Sequence, residues 1–301
     1  MSAALQIQNL SKTYAGSKQP ALDNLSLSVS EGEVYGFLGP NGAGKSTTIR
    51  TLLNFIQPSG GSATILGLDS VQDSVDIRKD TGYLSGDVAL YPKVTGAQLF
   101  EYLGILQGGV DKTYLDNLVE RFEAQIHKPI SSLSKGNRQK IGLIQALMHK
   151  PKMLVLDEPT SGLDPLMQER FYEVIAEAKS DGSAIFLSSH SLPEAQHLCD
   201  RVGIIRAGQL VREATVAELT ADVRPIFAVV FKKKPAKAVL AKESAIEVLS
   251  IHGASARLRT SSSIQAALKS LSKFDIVSMT VETDQLEDEF MSYYESEEQS
   301  A

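Results

Sequence analysis

The sequence predicts an α/β fold: a parallel, doubly wound core sheet with an added antiparallel β layer and a helical insertion, followed by a small α+β domain. Three observations predict it. A glycine-rich stretch, GPNGAGKST at Gly39 to Thr47, lies between an apolar run and a helix-compatible run. Beyond it, short apolar runs alternate with segments of helical period, the pattern of strand–helix crossover units. The character of the chain then changes near Asp222, after which strand-like and helix-like segments resume on a smaller scale.

The elements follow in order. Leu5 to Leu10 and Leu25 to Val29 alternate apolar and polar residues, as half-buried strands do. These early strands form the antiparallel layer, and Ser62 to Leu66 is a further short strand. Val34 to Leu38 is a buried strand leading into the glycine-rich stretch, and Ser46 to Phe55 is the helix after it. Val94 to Leu106, Tyr114 to Phe122 and Arg138 to Met148 read as helices and make the block from about 88 to 150 a helical insertion. Strand Met153 to Leu156 precedes a helix from Pro165 to Lys179, whose proline suits a first helical turn. Strand Ala184 to Leu187 and helix Pro193 to Cys199 come next, and Val202 to Ile205 with Gln209 to Val211 forms a hairpin joined at Ala207-Gly208. Residues 1–221 therefore read as one domain and 222–301 as a C-terminal accessory domain of about 80 residues, near the lower size for independent folding. In the latter the order is strand, helix, two strands, helix, strand and a final helix. Its clearest strands are Ile226 to Phe231, Ile246 to Ile251 and Ile276 to Val281; its clearest helices are Ile264 to Leu271 and Leu286 to Tyr294. Lys232-Lys233-Lys234 reads as a solvated strand end, and the acidic tail after Glu295 as disordered.

Composition narrows the function classes. The 301 residues are 43% hydrophobic and 22% charged, ordinary for a globular protein. A net charge of −6 does not favour nucleic acid as the main partner. A single cysteine, Cys199, excludes an internal disulfide framework and reads as core. The N-terminus lacks a basic region followed by an apolar run, so no signal peptide is expected. No run of about 18 apolar residues is present, so no membrane span is expected.

The chemistry begins at the glycine-rich stretch. It fits G-x-x-x-x-G-K-[ST], with Gly39, Gly44, Lys45 and Ser46 at the fixed positions. Its glycines let backbone N–H groups turn inward around phosphate oxygens, and the following helix N-terminus favours the same anion. Gly39, Pro40, Asn41, Gly42, Ala43, Gly44, Lys45, Ser46 and Thr47 are thus candidate nucleotide-binding residues, with Lys45 reaching the β- and γ-phosphates and Ser46 ligating magnesium. MLVLDE, Met153 to Glu158, is an apolar strand ending in two carboxylates at the carboxyl edge of the same sheet. Asp157 suits a magnesium-holding role, and Glu158 that of a base or positioner for an attacking water.

These motifs, with three more, resemble the ATP-binding cassette (ABC) ATPases, P-loop NTPases, over about residues 5 to 220. GYLSGDVALYP, Gly82 to Pro92, stands where that family carries its Q-loop; LSKGNRQ, Leu133 to Gln139, is similar to its LSGGQ signature; MLVLDEPTSGLDP, Met153 to Pro165, and LSSHSL, Leu187 to Leu192, follow in the family's order. The resemblance implies that Tyr14 stacks on adenine. It implies that Ser134 and Gly136 contact the γ-phosphate of ATP bound to the opposite protomer, and that Asp164 crosses that interface. His190 matches the switch histidine, which hydrogen-bonds the γ-phosphate and orients water. Two positions depart from the family. Lys135 and Asn137 stand where Gly and Gln are usual in the signature, and Gly86 stands at the usual Q-loop glutamine, with Asp87 as a possible substitute.

LYPKVTGAQLFEYL, Leu90 to Leu103, and LEDEFMSYY, Leu286 to Tyr294, further resemble prokaryotic drug- or antibiotic-export-type subunits. That implies an ATPase using ATP and Mg²⁺, a homodimer or a heterodimer with a second cassette, and separate permease chains that hold it at the cytoplasmic face of the membrane. The alternative is a soluble ABC ATPase acting on nucleic acid or ribosomes. Such proteins usually carry two cassettes, long coiled coils or zinc sites, whereas this chain has one cassette, no heptad array and one cysteine. A binding module without hydrolysis is disfavoured by the presence of Lys45, Asp157, Glu158 and His190 together.

Overall fold

Residues 3–221, 226–240, 242–261 and 263–282 are described by the computed structural model. The domain boundary near Asp222, the helix read over Leu286 to Tyr294 and the acidic tail lie outside them. The chain divides into two units, Met1–Val216 and Ala217–Ala301.

In the first unit, alternation becomes one-sided burial. β1 (Ala3–Lys12) buries Leu5, Ile7 and Leu10, and β2 (Leu22–Ser30) buries Leu22, Leu25, Leu27 and Val29. The two pair antiparallel. β3 (Val34–Leu38) is buried at every residue, as expected of an apolar run inside a parallel sheet. α1 (Lys45–Leu52) starts directly after the glycine-rich loop. It stops earlier than the sequence pattern suggests, at a turn where Asn54 takes a φ of 55°. β4 (Gly60–Ile65) pairs antiparallel with β1, and the two-residue β5 (Leu68–Asp69) with β4. α2 (Ser74–Lys79) and β6 (Thr81–Leu84) complete a stretch the sequence left unassigned; six and four residues are too short to show a period.

Three helices then intervene before the next strand. α3 (Gly96–Leu106) opens on a capping box of Thr95 and Gln98, α4 (Lys112–Arg121) on Asp111 and α5 (Lys135–Leu147) on Ser134. β7 (Met153–Asp157) is buried throughout. α6 (Pro165–Ser180) is capped by Asp164 with proline in its first turn, and β8 (Ala184–Ser189) is again wholly buried. α7 (Leu192–Leu198), β9 (Arg201–Arg206) and β10 (Gln209–Thr215) close the unit. β9 and β10 form a hairpin whose turn residues, Ala207 and Gly208, sit at φ 47° and 80°, the left-handed pair that a twisted two-residue turn needs.

The core sheet runs β10-β9-β3-β8-β7-β6 and is parallel except for the β10 edge. The β1/β2/β4/β5 layer packs on it through one buried cluster that includes Leu5, Leu25, Ile65, Phe37 and Phe186. Phe186 stacks between Phe37 and Tyr35, with centroids 5.3 and 6.0 Å away. Burying one such ring is worth about 1.5–3 kcal/mol. Because β3, β8 and β7 are adjacent and parallel, the loops at their carboxyl ends open on one edge of the sheet.

α8 (Val216–Ala221) leads on to the second unit, whose sheet β12-β13-β11-β14 is antiparallel. Its strands are β11 (Ile226–Phe231), β12 (Ile246–His252), β13 (Ser255–Thr260) and β14 (Ile276–Glu282); its helices are α9 (Lys237–Leu240) and α10 (Ile264–Leu271). Phe227, Val229, Phe231, Leu258 and Leu271 share its own core. Lys232, Lys233 and Lys234 are exposed just past β11.

Candidate active site

The loop after β3 is closed on one side and open on the other. A Cβ at Gly39 would meet the Ile205 carbonyl at 2.4 Å, and one at Gly44 the Ala21 carbonyl at 2.8 Å. At Gly42 nothing lies within 4 Å. Gly42 and Gly44 take φ of 84° and 116°, which only glycine adopts freely. No side chain caps α1 at Gly44, so its first N–H groups stay available to an anion in the loop. These features fit a phosphate chain. Lys45 is buried, and its Nζ donates to the Gly39 carbonyl at 2.6 Å and the Pro40 carbonyl at 3.3 Å. Ser46 and Thr47 are half-buried in the first turn of α1. Tyr14, 39% exposed, brings its hydroxyl within 3.4 Å of Thr47 Oγ1.

The end of β7 meets the end of β8. Asp157 is buried and accepts the Ser188 hydroxyl at 2.5 Å. Glu158, the next residue, has φ 50°, the left-handed region that costs a side-chain-bearing residue on the order of 1 kcal/mol or more. Neighbours over-determine it: its N–H donates to the Ser188 carbonyl at 3.2 Å and hydroxyl at 3.1 Å, and its own carbonyl accepts Gln139 Nε2 at 3.3 Å. The turn aims the carboxylate between two cations or donors. Oε1 lies 3.3 Å from Lys45 Nζ, and Oε2 lies 2.7 Å from His190 Nδ1. A carboxylate only accepts, so Nδ1 carries the proton of that bond, leaving Nε2 turned away from Glu158. Lys45, Glu158 and His190, remote in sequence, are thus brought into one cluster, with Asp157 adjoining.

A second group gathers at the N-terminus of α5. Ser134 caps that helix by accepting the Asn137 N–H at 3.3 Å, and Asp164 caps α6 by accepting the Met167 N–H at 3.1 Å. A Cβ at Gly136 would meet the Gly162 carbonyl at 2.8 Å; Lys135 lays its stem along Gly162 and bonds Ser161 Oγ at 3.3 Å. Gln139, buried, also donates to the Pro159 carbonyl at 2.8 Å. Among the described residues no hydrogen bond or ion pair joins 134–137 to the phosphate loop.

Gly86 sits against Asp157: a Cβ there would be 3.2 Å from Oδ2. The Asp87 side chain is exposed and makes no hydrogen bond or ion pair among the described residues. Beyond Glu158 and His190 lies a cavity of about 570 Å³, walled by Thr160, Gly162, Tyr172, Glu194 and His197. Burial, then Glu194 and Glu169, push the Tyr172 hydroxyl up to about 12. Cys199 is buried, which pushes its thiol far above its ordinary value and makes it inert.

Four residues of this site carried no role from the sequence: Gln139, Ser188, Ser189 and Glu194. The available signal was two serines ending an otherwise apolar strand, where buried hydroxyls must find partners.

Comparison with known proteins places the chain in a family. The family model described as ABC transporter matches residues 22–161. YdbJ of Bacillus subtilis (strain 168), an uncharacterized ABC transporter ATP-binding protein, is 37% identical over 215 residues, 70% of this chain and 69% of its own. The bacitracin transport ATP-binding protein BcrA of Bacillus licheniformis is 36% identical over 216 residues, 71% of this chain and 70% of its own. A solved ATP-binding subunit of an ABC transporter superposes with a TM-score of 0.66 at 28% identity, covering 72% of this chain and 92% of that one.

Proposed function

The chain belongs to the ABC transporter family of ATP-binding proteins, and from that premise we propose that it is the ATP-hydrolysing subunit of an exporter, closing as a dimer around two ATP and driving separate membrane-spanning chains. The observation that carries this reading is the Glu158 carboxylate, held between Lys45 and His190 at the edge where the phosphate loop opens.

The residues supply distinct parts of the chemistry. The loop N–H groups and Lys45 bind the β- and γ-phosphates, and Tyr14 carries the adenine. Ser46 and Asp157 would hold Mg²⁺, which when bound neutralises phosphate charge. Glu158 orients the attacking water and takes its proton; its two partners fix the carboxylate's direction. His190 holds Glu158 through Nδ1, and its ring reaches the γ-phosphate through Nε2. Ser134, Gly136 and Asp164 act across the dimer interface. Among the described residues none of the three is bonded to the phosphate loop of its own chain, as a site completed by a second cassette requires.

Among the described residues no helix is long and apolar enough to cross a membrane. The likeness to ABC transporter ATP-binding proteins supports a peripheral subunit held at the cytoplasmic face by its permease. An apolar groove of about 600 Å³ offers a docking surface for that chain. Leu53, Phe55, Val75, Tyr83, Leu103 and Leu106 line it, and Arg78 stacks over Phe55 at its rim. Export follows the likeness to drug- and antibiotic-export subunits. The test is to purify the chain from membranes, identify the membrane protein that accompanies it, and measure magnesium-dependent ATP hydrolysis with and without that protein. Absence of both hydrolysis and a membrane companion would overturn the reading.

A further inference from the structure

β8 ends in two serines, and each gives its single hydroxyl proton to a different carboxylate. Ser188 donates to Asp157 and accepts the Glu158 N–H. Ser189 donates to Glu194 Oε2 and accepts the Ser191 N–H at 2.9 Å. Ser191 Oγ in turn accepts the Glu194 N–H at 3.3 Å. Both strand serines are 0% exposed and Glu194 is 6% exposed. Glu194 is therefore tied to the residue before His190 by its carboxylate and to the residue after it by its amide.

His190 needs such a frame. Its side chain is 66% exposed, and Glu158 is its one polar contact among the described residues. Little packing restrains the ring, so its direction is set by the backbone from 189 to 191. A hydroxyl has one proton. While Glu194 takes it, the Ser189 oxygen presents only lone pairs to the Ser191 N–H, which locks the turn. An acidic residue in a first helical turn also serves the helix dipole, but that role needs no buried bond to Ser189. Burial raises the Glu194 pKa above the usual carboxylate range, and the Ser189 and Thr160 hydroxyls pull it back.

We infer that Ser189 and Glu194 are positioning residues that clamp the backbone on both sides of His190 and so hold its imidazole on Glu158. The inference rests on the proposed reading of Glu158 and His190 as the hydrolytic pair. It is tested with Ser189→Ala, Glu194→Leu and Glu194→Gln, each first shown to unfold cooperatively. Ser189→Ala and Glu194→Leu should lower kcat about 10- to 100-fold, because small displacements of a catalytic group cost that much. KM for ATP should change far less than kcat, since the substitutions leave the loop residues and the Ser189 carbonyl that accepts the Gly39 N–H in place. Glu194→Gln keeps an accepting oxygen for Ser189 and should restore most of kcat. Amide exchange at Ser191, which needs no turnover, should accelerate about tenfold or more in the first two variants and not in the third. Parental kcat in Ser189→Ala and Glu194→Leu, or a KM that rises in step with the loss of kcat, would overturn the clamp. Failure of the underlying reading shows separately, as parental ATPase activity in Glu158→Gln.

Discussion

Glu158 meets His190 at 2.7 Å, from a backbone turned to φ 50°. That contact depends on the unfavourable turn. An ordinary extended residue following Asp157 would point its side chain to the other face of the sheet. The left-handed turn instead keeps the carboxylate at the strand's end, where Lys45 and His190 lie, and Ser188 and Gln139 hold the turn in place. Backbone strain of this kind concentrates where function requires it.

Glu158→Gln keeps the size of the side chain and one accepting oxygen but removes the proposed base. It should leave ATP binding intact and slow hydrolysis on the order of 100- to 10,000-fold. An ATP-bound dimer should then accumulate and elute early on size exclusion. Hydrolysis at the parent rate would show that Glu158 is not the base.

Lys45→Ala removes the buried ammonium that spans the loop carbonyls and Glu158. Productive ATP binding should be lost, since a unit charge facing phosphate in a partly desolvated site has no substitute there. A nucleotide titration with unchanged affinity would sink the assignment.

The local parts of this architecture were legible because their signals are local. The buried strands β3, β7 and β8 read as apolar runs, and the phosphate loop as a spacing. Asp157 and Glu158 stood out as charges ending such a run. What the sequence could not show are contacts made by folding. Ser188 bonds Asp157 across 31 residues and Gln139 reaches Pro159 across 20, with no period or motif to announce either. α2, β5 and β6 were missed because each is shorter than the window in which periodicity can be counted.

His149 supplies a pH dependence of known sign. It lines the apolar groove, and burial lowers its pKa below the ordinary 6.5. The folded state therefore prefers the neutral ring, while the unfolded chain takes up a proton near 6.5. Below that value the unfolded state binds more protons, so stability is complete above pH 6.5 and falls as the pH drops towards the folded pKa. The unfolding temperature of His149→Leu should gain on that of the parent between pH 8 and pH 5.5. A difference that stays constant across that range would exclude His149 as the source.

Residues 1–221, expressed alone, should remain a folded cassette that binds ATP, because among the described residues the core cluster around Phe37 and Phe186 draws on none beyond Leu210. Calorimetry and nucleotide titration check this together. Loss of a cooperative transition would mean that the C-terminal segment contributes to the cassette's core.

Gly86 offers the most specific test of the metal edge. Its α-carbon faces Asp157 so closely that a Cβ would sit 3.2 Å from Oδ2 and 3.3 Å from Cγ. Its φ is not positive, so the backbone accepts any L-residue and the contact alone is the obstacle. Asp157 cannot simply withdraw, because Ser188 holds its other oxygen. Gly86→Ala should therefore crowd the proposed magnesium ligand and raise the magnesium concentration needed for half-maximal ATPase activity. Gly86→Gln adds the same crowding together with an amide that can bind the cation or its water. A requirement raised by alanine and relieved by glutamine would place position 86 at the magnesium edge, with the role that the family gives to its Q-loop glutamine. Unchanged magnesium titrations in both variants, with unchanged stimulation by the membrane partner, would put Gly86 outside the nucleotide site and leave its closeness to Asp157 a matter of packing.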